Sequence, residues 1–76
     1  MTLARVIELA RWAKRMDGTG PLSTGEALTA ALMLNRHDWL HAMDYTIAEA
    51  LGRIDEGTLP RLAHAARHVA QEVDRG

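Results

Sequence analysis

The chain has no cysteine and no phenylalanine, only two prolines, and no uninterrupted apolar run near the length that spans a bilayer. Each absence narrows the reading. Without cysteine there is no disulfide framework and no thiolate nucleophile, which fits a reducing cytoplasm. Met1-Thr2-Leu3-Ala4-Arg5 lacks the apolar core of a signal peptide, so a cytoplasmic protein with no membrane partner is expected. Without phenylalanine, the bulk must come from Ala, Leu and Met, supplemented by Trp12, Trp39 and Tyr45. Apolar residues still make up 47% of the chain, too many for disorder. An alanine-rich core demands closely approaching helices. A chain of 76 residues makes one small domain, residues 1–76, which is marginal unless its helices pack well or it associates. A homodimer or a larger protein partner is therefore expected.

What is present begins with a helix-start signal that occurs twice. Ser23-Thr24-Gly25-Glu26-Ala27-Leu28 is echoed by Thr46-Ile47-Ala48-Glu49-Ala50-Leu51. In each, the hydroxyl can accept from the backbone N–H three residues on, and the glutamate there can accept from the N–H of the capping residue. Leu22 and Tyr45 precede the caps, where a hydrophobic staple sits. Two copies fall short of a solenoid, which needs about three repeats.

The helical pattern extends along the whole chain and no segment alternates with period two. A first helix is expected over Leu3–Met16, capped by Thr2, with Leu3, Val6, Ile7, Leu9, Ala10, Ala13 and Met16 on one arc. The breaker cluster Asp17-Gly18-Thr19-Gly20-Pro21 ends it. A second helix from Ser23 to Asn35 is apolar nearly all round and should be central. A short third helix over Arg36–Met43 would turn Trp39, Leu40 and Met43 inward, with Asn35 ending one helix and capping the next. The fourth, from Thr46 to Asp55, carries an Ile47, Ala50, Leu51, Ile54 stripe, with Gly57 as its C′ residue. The fifth starts at Thr58, tolerates Pro60 in its first turn, and carries Leu59, Leu62, Ala63, Ala66, Val69, Ala70 and Val73. The expected fold is all-α, a compact bundle of four or five short helices.

Charge is unevenly spread around a net −1. Residues 1–16 hold Arg5, Arg11, Lys14 and Arg15 against Glu8 alone, while acids dominate the remainder. Trp12 falls among these charges and away from the apolar arc. Trp and Arg dominate interface hot spots, so Trp12 with Arg5, Arg11 and Arg15 is the expected partner-binding face. The alternative is that loop 17–22 folds over the indole.

Chemistry-bearing patterns are few. His37/His41 and His64/His68 are i, i+4 pairs, extended by Asp44 and Glu72, and such spacing can present two imidazoles to one metal. Both pairs lie opposite the apolar stripes and form no H-E-x-x-H, so solvated polar faces are expected, with no metal and no cofactor. No nucleophile elbow or phosphate loop occurs, and an enzyme is not expected. Residues 46–69 also resemble a helix-turn-helix, with Gly52 in the turn and a recognition helix from Thr58 to Val69 bearing Arg61, His64, Arg67 and His68. Against that DNA-binding alternative stand Asp55 and Glu56 in the turn, one residue too many between Gly52 and Leu59, and a slightly acidic chain.

Residues 23–28, Leu34-Asn35-Arg36-His37-Asp38-Trp39-Leu40 and 45–51 together resemble short, mostly uncharacterised helical proteins of proteobacteria and their phages or mobile elements. The resemblance covers about half the chain and carries over no functional residues. It implies a setting in which small proteins bind a larger host or phage protein, inhibitors of host defence among them. The expected function is stoichiometric protein binding through the face of the first helix, or self-association of that surface.

Overall fold

The computed structural model describes residues 1–75, with side chains as far as Glu72. It contains α1 (Leu3–Met16), α2 (Thr24–Met33), α3 (His37–Ala42), α4 (Ile47–Arg53), a 3-10 turn (Leu59–Arg61) and α5 (Leu62–Arg75), with no strand among the described residues. The fold is the all-α bundle expected. Among the described residues no helix is long and apolar enough to cross a membrane.

The helix starts are set by side-chain caps. Thr2 accepts from the Arg5 N–H, and both capping boxes form at Ser23/Glu26 and Thr46/Glu49. Glu26 and Glu49 accept from the backbone N–H of their caps at 3.1 and 3.0 Å. These bonds hold both carboxyls below the usual carboxylate range, with the backbone N–H as the largest cause in each.

The helix ends follow a second local rule. Asp17, Asn35 and Asp44 adopt left-handed backbone with φ of 51, 55 and 62°, whereas no described glycine has a positive φ. At each, the next residue's N–H reaches back five positions: Gly18 to Ala13 at 3.1 Å, Arg36 to Ala31 at 2.9 Å and Tyr45 to Leu40 at 2.9 Å. These are Schellman closures with Asx in the place usually taken by glycine. Asn35 thus ends α2, but it does not cap α3. Arg36 holds that position and makes no side-chain cap bond.

Helix α2 is central and divides the core. One cluster joins Val6 and Ala10 of α1 to Met33 of α2 and Ala65 and Val69 of α5. The other joins Leu28 and Ala31 of α2 to Leu40, Ala50 and Ile54. Leu62 packs against both. Thr29 is fully buried, its hydroxyl donating to the Gly25 carbonyl at 2.8 Å. Alanines at 10, 13, 27, 30, 31, 50 and 65 account for much of the buried apolar set, as an alanine-rich core requires.

Several boundary and burial expectations are corrected. Helix α4 stops at Arg53, because Ile54 turns to extended backbone, and Gly57 serves no C′ role. Asp55 organises the following turn instead, its carboxylate accepting from the Thr58 N–H at 3.2 Å and the Thr58 hydroxyl at 2.5 Å. The segment expected to open the fifth helix is a 3-10 turn, and the α-helix begins at Leu62. Ile47 and Leu51, read as core, are 46% and 40% exposed, since α4 reaches the core through Ala50 and Ile54. Met16, Leu59, Ala63 and Ala70 are exposed as well, and Ala65, unread as core, is fully buried. The side chain of Val73 lies outside the described residues.

Candidate functional site

Helix α1 uses two sides for packing, against α2 and against α5. Its remaining face carries Arg5, Glu8, Trp12 and Arg15 at successive three- and four-residue steps. Leu22, the residue before the α2 cap, meets this face. Between them lies a groove of about 320 Å³ lined by Arg5, Glu8, Arg11, Trp12, Arg15 and Leu22. The structure therefore brings all four sequence-selected residues to one concavity. Trp12 is half-buried there, and Leu22 shares the groove with it.

The charges around this groove are not all unpaired. Arg5 donates to Glu8 at 3.4 Å and to Glu26 at 3.1 Å. The Arg5–Glu26 bond links the groove to the α2 capping box. Arg11 reaches Glu72 on α5, with its Nε 3.0 Å from both carboxylate oxygens. Hydrogen bonding from Arg11 holds the Glu72 carboxyl below its usual range, and Glu72 raises the Arg11 guanidinium in return. Arg15 makes no ion pair among the described residues. The basic stretch at the start of the chain thus resolves into two cations held by acids from α2 and α5, Arg5 and Arg11, and two without an ion pair among the described residues, Lys14 and, beside the indole, Arg15.

The histidines lie on exposed surfaces. His68 Nε2 stands 3.6 Å from Glu72, the same carboxylate that Arg11 engages. Among the described residues no group of three His, Cys, Asp or Glu side chains could hold a metal.

Arg61, His64, Arg67 and His68 are all exposed, with Arg61 in the 3-10 turn and the rest on α5. The surrounding geometry departs from the helix-turn-helix reading. Gly52 lies inside α4 and the presumed recognition helix starts at Leu62. A helix-turn-helix packs its two helices on each other. Here α4 packs mainly on α2 and α3 and α5 mainly on α1 and α2, and α5 meets the cluster around Ala50 and Ile54 through Leu62 at its start.

One concavity had no counterpart in the sequence reading. A groove of about 450 Å³ runs between the end of α1, the end of α2 and α5. Its one sequence signal is the short pair Ala66 and Ala70 at i, i+4, which reads as ordinary helix stripe until Met33 and Leu34 are seen opposite.

No protein-family model, curated protein or solved structure matches the chain.

Proposed function

We propose that this chain is a non-catalytic protein-binding module whose Trp12 groove receives an acidic segment of a larger protein. The observation that carries the reading is the convergence of Trp12, Arg5, Arg11 and Arg15 on one groove. A half-covered indole offers apolar area that a partner can finish burying, and Arg15 offers a charge that a partner carboxylate can meet. Arg5 and Arg11 hold the groove's walls in place through Glu26 and Glu72. The resemblance to small phage and mobile-element proteins supports an accessory or inhibitory role exerted by stoichiometric binding in the cytoplasm.

The test compares proteins captured from the native host by the wild-type chain, Trp12→Ala and Arg15→Glu. A partner of this groove is retained by the wild type, lost with Trp12→Ala and weakened by Arg15→Glu, more so at low salt. Capture of the same proteins in equal amounts by all three removes the groove from consideration.

A further inference from the structure

The groove between α1, α2 and α5 lies apart from the Trp12 site and has a different character. Its volume of about 450 Å³ falls within the range typical of small-molecule sites, roughly 300–1,000 Å³. Met33 and Val69 form an apolar floor, already 6% and 3% exposed, and Leu34 and Ala66 extend it. The space exists because α5 presents alanine at 66 and 70, too short to fill the volume beside Met33 and Leu34.

Polar groups gather at the edge. Arg36 is one wall, but its charge is met on two sides and three of its five N–H donors are used: it donates to Asp38 at 2.9 and 2.8 Å and to Asp17 at 2.8 Å, and lies 4.2 Å over the Trp39 ring. It has little charge left to give a ligand. Lys14 and Asn35 differ, since neither side chain makes a hydrogen bond or ion pair among the described residues. A lysine stem lies readily along an apolar wall with its ammonium at the rim. Glu72, the nearby acid, feels the Lys14 charge but is hydrogen-bonded by Arg11 and not by Lys14.

One open cation and one open carboxamide above an apolar trough define a narrow class of ligand. We infer that this groove binds an amphipathic monocarboxylate of medium chain length, its aliphatic tail over Met33 and Val69 and its carboxylate at Lys14 and Asn35. The charge requirement separates it from a purely apolar guest, which would gain nothing from Lys14. The trough is confined to the ends of α1 and α2 and one face of α5, which separates it from the longer groove a protein helix needs.

The test is an NMR titration of the full ¹⁵N-labelled chain with decanoate, kept below its micelle-forming concentration, and in parallel with decanol. Saturable shifts at Met33, Ala66, Val69 and Ala70 are expected with decanoate, at least fivefold tighter than with decanol. Lys14→Gln should bring decanoate to the level of decanol and leave decanol unchanged. Ala70→Leu should narrow the trough and weaken both. Absence of saturable shifts there overturns the inference, as does equal affinity for the two ligands or an unaltered response in Lys14→Gln. Lys14 is on an exposed rim, so its variant decides the matter even if Ala70→Leu fails to fold.

Discussion

Arg11 and Glu72 stand 61 positions apart in sequence and clasp one another across the α1–α5 packing, the arginine Nε donating to both carboxylate oxygens. This makes Arg11 a structural member of the Trp12 groove, while Arg15 makes no ion pair among the described residues. The pair also carries a pH signature. Glu72 is held below the usual carboxylate range when folded, so its stabilising contribution is fully present above the unfolded value. That contribution is lost as pH falls through the lower folded value. Glu72→Gln should therefore melt below the wild type at pH 7, and the gap should close in the acid range below about pH 4. Thermal melts at pH 7 and pH 3 read this directly. A constant gap would mean that Glu72 acts through packing, not charge.

The capping boxes predict discrete losses. Ser23→Ala and Thr46→Ala should each cost about 1 kcal/mol, measured by urea unfolding with unchanged m-values. Ser23→Ala should also loosen Glu26, whose other partner is Arg5. Mutating Ser23 should therefore weaken the effect of mutating Arg5, whereas Thr46→Ala and Arg5 variants should add independently.

The three Asx residues in left-handed backbone offer a stabilising test. Glycine carries no Cβ penalty there, so Asn35→Gly and Asp44→Gly should each raise stability by up to about 1 kcal/mol. Asp17→Gly should gain less, because its carboxylate accepts from Arg36 and ties the end of α1 to α3. Asn35→Ala should destabilise instead. Equal gains at all three positions would show that the Asp17–Arg36 bond contributes nothing measurable.

Local chemistry was readable from the sequence wherever it is decided by residues three or four apart. Thr2, Ser23 and Thr46 start their helices as their side chains dictate, and α1 has the expected bounds. What depends on packing was not readable. The stripe Ile47, Ala50, Leu51, Ile54 has the right period, yet a seven-residue helix beside α2 and α3 buries only part of it. Ala65 sits between His64 and Ala66 and gave no signal, because its burial depends on α1 and α2 approaching closely. The Trp12 face was visible as a composition, but the pairing of Arg11 with a residue at the other end of the chain was not. Gly57 illustrates the limit of residue-type rules: Asp55 closes that turn, and the glycine's freedom is unused.

Thr58 is the fully buried polar residue that joins this turn to the start of the chain. Its hydroxyl donates to Asp55 and receives the Met1 nitrogen at 2.6 Å. Thr58→Val keeps the shape and removes both hydroxyl bonds, while Asp55 retains the Thr58 N–H and the nearby Met1 ammonium, so a loss of about 1 kcal/mol is expected. Thr58→Ser, which keeps the hydroxyl, should lose less. If the two variants unfold at the same denaturant concentration, the hydroxyl is dispensable and the methyl group carries the position.

Trp12 separates stability from recognition. Removing a buried tryptophan costs roughly 3–5 kcal/mol, but Trp12 is only half-covered. Trp12→Ala should therefore cost clearly less than that range, and Trp12→Leu should recover most of the loss by restoring apolar volume beside Leu9 and Leu22. Neither variant should recover partner binding, since the planar indole is what the open half of the groove presents. Sedimentation of each variant tests the self-association alternative: a wild-type dimer that becomes monomeric in Trp12→Ala would make the second copy the occupant of the groove. A full core-sized loss of stability would make Trp12 a packing residue closed over by the 17–22 loop. If stability, assembly and binding are all unchanged, the groove has no role, and the exposed face bearing Arg61, His64 and His68 is the next surface to vary.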